Sequence, residues 1–289
     1  MVGQRVVVRR VLRGETGPTG GPAMTDVLGV CESWEDGTTV IRREDGSTVE
    51  IAIADIVSGK PVPPRPSARM RVSAREAEGH AAPHWAGVLR EPLGDWELRT
   101  EPVPGDRLRK RANSCLAIGD PGVPLAAATQ AVRDFYSGHE RPAMVQVEAG
   151  TEIEEWFAAA GWTVVPGGDS HFMIGSLSRS RRLLGDRQSE QVDLVVEGDR
   201  ARAAVADVAH GKAGADGDWL GLHGLYVEPA ARRRGLATAV LAGLLEWGAE
   251  RGTTTVWLHV ETDNDPAIAL YESIGLAVHH GCRYLTIAG

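Results

Sequence analysis

Cysteine is scarce in this chain of 289 residues, and Cys31, Cys115 and Cys282 are too few, odd in number and too dispersed for a disulfide framework. They fit reduced thiols in a core. No run of 18 apolar residues occurs, and the opening "MVGQRVVVRRVLRG" has no apolar stretch of signal-peptide length. The expectation is a cytoplasmic protein without a membrane segment. A basic stripe is missing as well. The formal net charge is −8, concentrated in the last hundred residues, so nucleic acid is not an expected ligand and a cationic partner such as an amine is the better match. What is plentiful is apolar residue, 43% of the chain, enough for two or three domains with cores of their own.

Residues 1–60 read as short strands with tight turns, "RVVVRRVL", "DVLGVCESW", "GTTVIRR" and "GSTVEIAI". Asp36-Gly37 and Asp45-Gly46 are hairpin signals between β-branched residues. "GETGPTGGPAM" is a Gly/Pro loop. The pattern predicts a small all-β barrel or sandwich and resembles an SH3-like barrel. "GKPVPPRPSAR" follows, and residues 61–70 are expected to form a Pro-rich linker at a domain boundary. Beyond it, "SAREAEGHAAPHWAGVL" predicts helix.

Two distant stretches then align. "EEWFAAAGWTVV" matches "AIALYESIGLAV" with Gly161 on Gly275, and "VQVEAG" matches "LHVETD" with Val147 on Val260. Continuing the register sets "GDPGVPLAAATQAV" against "RRRGLATAV". Each copy reads strand, turn, helix, strand, helix ending in Gly, strand. The chain is expected to hold a duplicated α/β unit, residues 71–183 and 184–289.

The second copy carries the informative turn, "LYVEPAARRRGLATAVLAGLLEWGAERG". An apolar strand meets Arg232, Arg233, Arg234 and Gly235 and then a helix, whose Leu236, Val240, Leu244 and Trp247 form a core stripe and whose end is marked by Gly252. Positive charge is repelled at a helix start. It belongs there if an anion is bound, because the free backbone N–H groups and the dipole both favour one. Gly235 and small Ala237 would let a phosphate approach the backbone.

These residues resemble the acetyl-CoA signature of the GNAT (GCN5-related) N-acetyltransferases, with Val227, Pro229, Arg232, Gly235 and Ala237 in its V-x-P and R-x-x-G-x-G/A positions. The second GNAT motif resembles "NDPAIALYESIGL", with Asn264, Ala267, Leu270, Tyr271 and Gly275. Two motifs in order on the expected elements make a strong signal. The resemblance implies an α/β (α+β) fold, a tandem GNAT-like mixed sheet flanked by helices and preceded by the small barrel, as in actinobacterial GNAT proteins that carry such a barrel. It implies that the strand "LHGLYV" bulges and parts from "TVWLHV", so that main-chain groups of Leu225, Tyr226 and Val227 pair with a pantetheine arm. The pyrophosphate would lie on Arg232 to Arg234, Gly235, Leu236, Ala237 and Thr238, with Asn264, Ala267 and Tyr271 on the second motif.

The activity implied is transfer of an acetyl group from acetyl-CoA to an amine, a small molecule or a protein lysine held by the barrel. A non-catalytic acetyl-CoA sensor is the alternative of another class. Tyr271 is the implied general acid for the thiolate. His223 is the candidate base, and His259 is a second. "HHGC", with His279, His280 and Cys282, lacks the fuller spacing of a zinc site, so no metal is expected. The first copy is expected to have lost coenzyme binding, since Asp120 stands in its phosphate turn and Phe157 at the position of Tyr271. Residues 178–190 are short for the helices that precede the second strand in this family. The acceptor and the oligomeric state, a homo-oligomer included, are not legible.

Overall fold

The computed structural model describes residues 1–18, 20–62, 67–85, 87–103, 109–185 and 191–287. Two compact units divide it, Met1–Ser67 and Ala68–Gly289. The first is an antiparallel sheet of β1 (Arg5–Thr16), β2 (Pro22–Glu35), β3 (Thr38–Arg42), β4 (Thr48–Ala52) and β5 (Ile56–Pro61), in the order β4-β3-β2-β1-β5. Asp36 and Gly37 have φ of 50° and 77°, the twist a two-residue hairpin needs. Val6, Val8, Val27, Cys31, Ile41 and Ile51 form its core. Residues 63–66 of the expected linker lie outside the described residues.

The second unit opens with α1 (Ala74–Gly79). The helix expected across this stretch is short, because Pro83 cannot donate the N–H that would continue it. The chain instead makes a single 3-10 turn at Ala82–His84. There follow β6 (Leu89–Leu93), β7 (Trp96–Thr100), β8 (Cys115–Leu116), α2 (Leu125–Gly138), β9 (Met144–Glu148), α3 (Glu152–Ala159), β10 (Thr163–Val164) and β11 (Ser170–Ser176). The remaining elements are α4 (Leu177–Leu184), β12 (Asp193–Glu197), β13 (Arg200–Val205), β14 (Ala209–Asp216), β15 (Trp219–Val227), α5 (Leu236–Glu250), β16 (Thr255–Glu261), α6 (Asp265–Ser273) and β17 (Ala277–Thr286).

The strands form one mixed sheet ordered β12-β13-β14-β15-β16-β11-β17-β9-β8-β7-β6, with β10 on β17. The duplication is visible as two parallel crossovers, β8-α2-β9 and β15-α5-β16, each followed by a helix that closes on a left-handed glycine, Gly161 (φ 84°) and Gly275 (φ 86°). The copies interleave. β11 stands between β16 and β17, and β17 stands between β11 and β9, so each half-sheet is completed by a strand of the other.

Alternation along β16 fixes its two faces. Val256, Leu258 and Val260 enter the core shared with α5 and α6, whereas Trp257 packs with Phe172, Trp219 and the Ala77 and Ala81 side chains of the α1 segment. That segment covers the second copy's sheet although in sequence it belongs to the expected first copy. His80 bonds Asp216 at 2.7 Å and stacks on Trp219. His84 lies so close over β15 that a Cβ at Gly221 would sit 2.3 Å from its Nε2, an overlap of the kind that costs roughly 1–3 kcal/mol. Residues 68–85 therefore cover this face of the sheet; of residues 178–190, 186–190 lie outside the described residues.

Candidate active site

β15 and β16 pair from Trp219 and Thr255 as far as Leu222 and Leu258, where the register ends. On its other edge β15 is bulged. Lys212 faces His223 and His210 faces Tyr226, so Gly224 and Leu225 together oppose Gly211. Gly224 has a φ of 61°, which a side chain would resist. Past Leu222 and Leu258 the strands bound a cavity of about 1000 Å³, lined by residues 222–226 and 259–261 and, from the second motif, by Asn264, Ala267 and Tyr271. Asn264 caps α6, its Oδ1 accepting from the Ala267 N–H at 3.3 Å. Tyr226 is exposed and lies against His210.

The arginine turn is set beyond this cavity, at the end of β15. Arg232, Arg233, Arg234 and Gly235 are exposed. Arg232 Nε donates to the Val227 carbonyl at 3.2 Å, so that group, expected to meet the coenzyme arm, already has a partner. Arg233 (φ 63°) and Gly235 (φ 83°) are both left-handed, a conformation that costs a non-glycine residue roughly 1–2 kcal/mol. Gly235 is the N-cap of α5, no side chain caps that end, and a Cβ there would meet nothing within 4 Å. Leu236 turns its side chain into the core, while Ala237 and Thr238 are half-buried. An uncapped helix start under three arginines that make no ion pair among the described residues suits a pyrophosphate.

Tyr271 is 8% exposed. Burial pushes its pKa up to about 12, so the phenol keeps its proton at neutral pH. His223 faces the cavity edge-on to His84 at 5.0 Å. Solvent reaches the ring through the cavity, yet the surrounding protein desolvates it and Lys212 and Arg200 add like charge, which lowers its pKa to about 4.

The residue that sequence reasoning missed is Glu78. Its Oε1 receives His259 Nε2 at 2.7 Å, Cys282 Sγ at 3.1 Å and His280 Nε2 at 3.3 Å. Burial would raise this carboxyl, but His259 and His280 outweigh it and hold it well below the usual range. Burial and Arg111 in turn lower His259 to about 4, against the pull of Glu78. A neutral His259 that donates from Nε2 keeps a lone pair on Nδ1. The signal for Glu78 was a carboxylate beside Ala74 and Ala77 on the buried face of α1.

Residues 178–285 match a family model described as Probable histone acetyltransferase Rv0428c C-terminal, and residues 1–60 match Rv0428c N-terminal Sm-like domain. The chain is 27% identical to the Probable histone acetyltransferase Rv0428c of Mycobacterium tuberculosis, covering 98% of this chain and 95% of that one. A 54-residue stretch is 44% identical to the [Ribosomal protein bS18]-alanine N-acetyltransferase of Escherichia coli, over 19% of this chain and 36% of the relative. In fold it is similar to a GCN5-related N-acetyltransferase from Kribbella flavida, with a TM-score of 0.59 and 14% identity over 75% of this chain and 96% of that one.

In sequence and in fold the chain is similar to the GNAT N-acetyltransferases. Its second unit repeats one α/β motif, and the two copies differ at the site. In the first, the Asp120 N–H donates to Asp95 Oδ2 at 2.9 Å and the Asp120 carboxylate takes the Gly122 N–H at 2.8 Å. Gly94 presses on this turn so closely that a Cβ would lie 2.3 Å from the Pro121 carbonyl carbon. Trp96, fully buried, donates its indole N–H to the Gly119 carbonyl and packs with Phe157 and Trp162. Trp96, Phe157 and Trp162 belong to the buried core of this half.

The "HHGC" segment also reads differently in three dimensions. His279 Nε2 lies 3.1 Å from the Val72 carbonyl, while the donor atoms of His280, Cys282 and Glu78 lie within 4.8 Å of one another, a grouping that could hold a metal ion. The third member comes from α1, which no local spacing could disclose. Cys282 is pushed well up by burial, so a protonated thiol donates to Glu78.

Proposed function

We propose that this GNAT protein transfers the acetyl group of acetyl-CoA to a primary amine that attacks the thioester directly. The observation that carries the reading is the parting of β15 and β16 beyond Leu222 and Leu258, which opens a cavity onto Tyr271. Residues 232–238 would hold the pyrophosphate through backbone N–H groups and arginines, and the bulged main chain at Leu225 would pair with the pantetheine arm. No metal is needed for this binding.

His259, braced by Glu78, accepts the proton that the amine loses as its nitrogen bonds the acetyl carbon; His223 is the competing candidate. Tyr271 gives its proton to the sulfur as the C–S bond breaks, and its phenolate is reprotonated from solvent. Each transfer is of the kind worth about 10² to 10⁴ in rate. The name of the mycobacterial relative favours a second reading, a protein-lysine acceptor held by the N-terminal unit. We place the protein in the cytoplasm; among the described residues no helix is long and apolar enough to cross a membrane.

Two measurements test the reading. Acetyl-CoA at about a hundred times its Kd should stabilise the fold by about 2.7 kcal/mol, and a screen of amines and peptides should release free coenzyme A thiol. An unchanged Tm in millimolar acetyl-CoA would overturn the site.

A further inference from the structure

The acidic balance of the chain suggests a cationic acceptor, but the cavity itself is walled differently. Arg109, Lys110 and Arg111 all line it, beside Trp85 and Tyr284, with Glu261 on the opposite strand. Arg109 is paired with Glu101. Lys110 donates to the neutral Gly167 carbonyl at 2.8 Å and lies 5.7 Å over the Tyr284 ring, and among the described residues no carboxylate pairs with it. Arg111 has one hydrogen bond, from Nη2 to Ser170 Oγ at 3.3 Å, and its Nε is buried with no partner. Among the described residues no carboxylate lies within the 4.0 Å of an ion pair to it.

Arg10 and Arg133 also bury an Nε without a partner, but of these three only Arg111 lines the cavity. Arg99, which is more deeply buried, bonds the Ser114 carbonyl, Ser114 Oγ and Gln146 Oε1. Arg283 is clasped between Asp169 and Glu154. A buried donor left unmade costs roughly 1–3 kcal/mol, and the group that would satisfy a guanidinium fork best is a carboxylate. Arg111 is also placed to act on the acceptor. Its anchor Ser170 stands opposite Glu261, two residues along β16 from His259, about 7 Å. It therefore lies on the face of the sheet that carries the candidate base and the α1 cover.

We propose that the acceptor is an amine that also bears a carboxylate, an α- or short ω-amino acid, whose carboxylate is received by Arg111 with Lys110 beside it. The inference rests on the acetyl-transfer reading above and narrows its substrate. A lysine-rich protein segment would bring further positive charge against these two cations, and an electrostatic wall of this sign works against it.

The test compares coenzyme A release with alanine and gamma-aminobutyrate against their decarboxylated counterparts, ethylamine and propylamine, and a lysine-rich peptide. In the wild type, kcat/KM for each acid should exceed that for its amine by about tenfold or more, equivalent to 1.4 kcal/mol. Arg111→Gln should bring that ratio close to one by lowering the rate on the acids, while the stabilisation by acetyl-CoA persists. Arg111→Lys, which keeps the charge and loses the fork, should fall between. If Arg111→Gln fails to fold, Ser170→Ala, which frees the guanidinium from its anchor, should lower the ratio. Equal use of acids and amines, preference for the peptide, a ratio untouched by Arg111→Gln, or no acceptor turned over although acetyl-CoA raises the Tm would each overturn the carboxylate. If acetyl-CoA leaves the Tm unmoved, the acetyl-transfer reading itself has failed.

Discussion

Phe157 and Tyr271 hold the same position in the two halves of the sheet: the Phe157 carbonyl accepts the Trp162 N–H at 3.0 Å, and the Tyr271 carbonyl accepts the Leu276 N–H at 3.1 Å. Identical helix ends thus present a phenyl ring in one half and a phenol in the other. The phenyl is fully buried against Trp96 and Trp162, whereas the phenol borders the cavity. One half thus places a core side chain where the other borders the cavity.

Calorimetry should accordingly give one acetyl-CoA per chain. The first half meets an anion with the Asp95 and Asp120 carboxylates, and Pro121 and Pro124 lack N–H groups. Changing Arg232, Arg233 and Arg234 together to Ala should abolish binding, while Asp120→Ala should not alter it. A stoichiometry near two would mean that the first half binds through other groups.

Tyr271→Phe keeps the ring and deletes the hydroxyl. Acetyl-CoA should still bind, and turnover should fall by about 10² or more where chemistry limits the rate. Because burial raises this phenol to about 12, the wild type should show no loss of its proton donor up to pH 10. Turnover equal to wild type would remove Tyr271 from the reaction.

The legible part of this molecule was local. Gly235 and Asn264 lie at the helix starts that the motif resemblance implied and Tyr271 lies on the second of those helices, because a helix start and the turn before it are decided within a few residues. The twin glycines Gly161 and Gly275 disclosed the duplication for the same reason, since each must be left-handed to end its helix. The interleaving of β11 and β17 was hidden, as both are apolar strands that either half could use. Glu78 and Arg111 were hidden by distance: they reach the cavity from α1 and from the turn before β8, and nothing near them in sequence shows what they face.

Acid should loosen the fold through its histidines. His84 is lowered to about 3 by burial first and then by His223, Arg200 and His259, while His223 and His259 are lowered to about 4. Each takes up a proton near 6.5 when unfolded. Their contribution is complete above pH 6.5 and is lost as pH falls towards 4, where the unfolded chain binds protons that the folded one refuses. Tm measured from pH 7 to 4 should decline, and His84→Gln should make the decline shallower. A flat profile would contradict the neutral histidines.

The base can be decided between His259 and His223 by the same values. If His259 takes the proton, its lone pair is at Nδ1 because Nε2 is committed to Glu78, and the ring works as a base only while neutral, above about pH 4. Glu78 supports this role by raising the basicity that burial and Arg111 reduce. Glu78→Gln should weaken the base and lower turnover, and His259→Gln should lower it by about 10² to 10⁴, with acetyl-CoA binding retained in both. His223→Gln should have a smaller effect, since no carboxylate orients that ring. The rate measured against pH should keep its activity down to about pH 4 rather than losing it at 6.5, apart from the ionisation of the amine itself, which a series of amines of different pKa separates. The reverse ranking, with His223→Gln the more damaging and Glu78→Gln silent, would move the base to β15 and leave Glu78 as a clasp between α1 and β17.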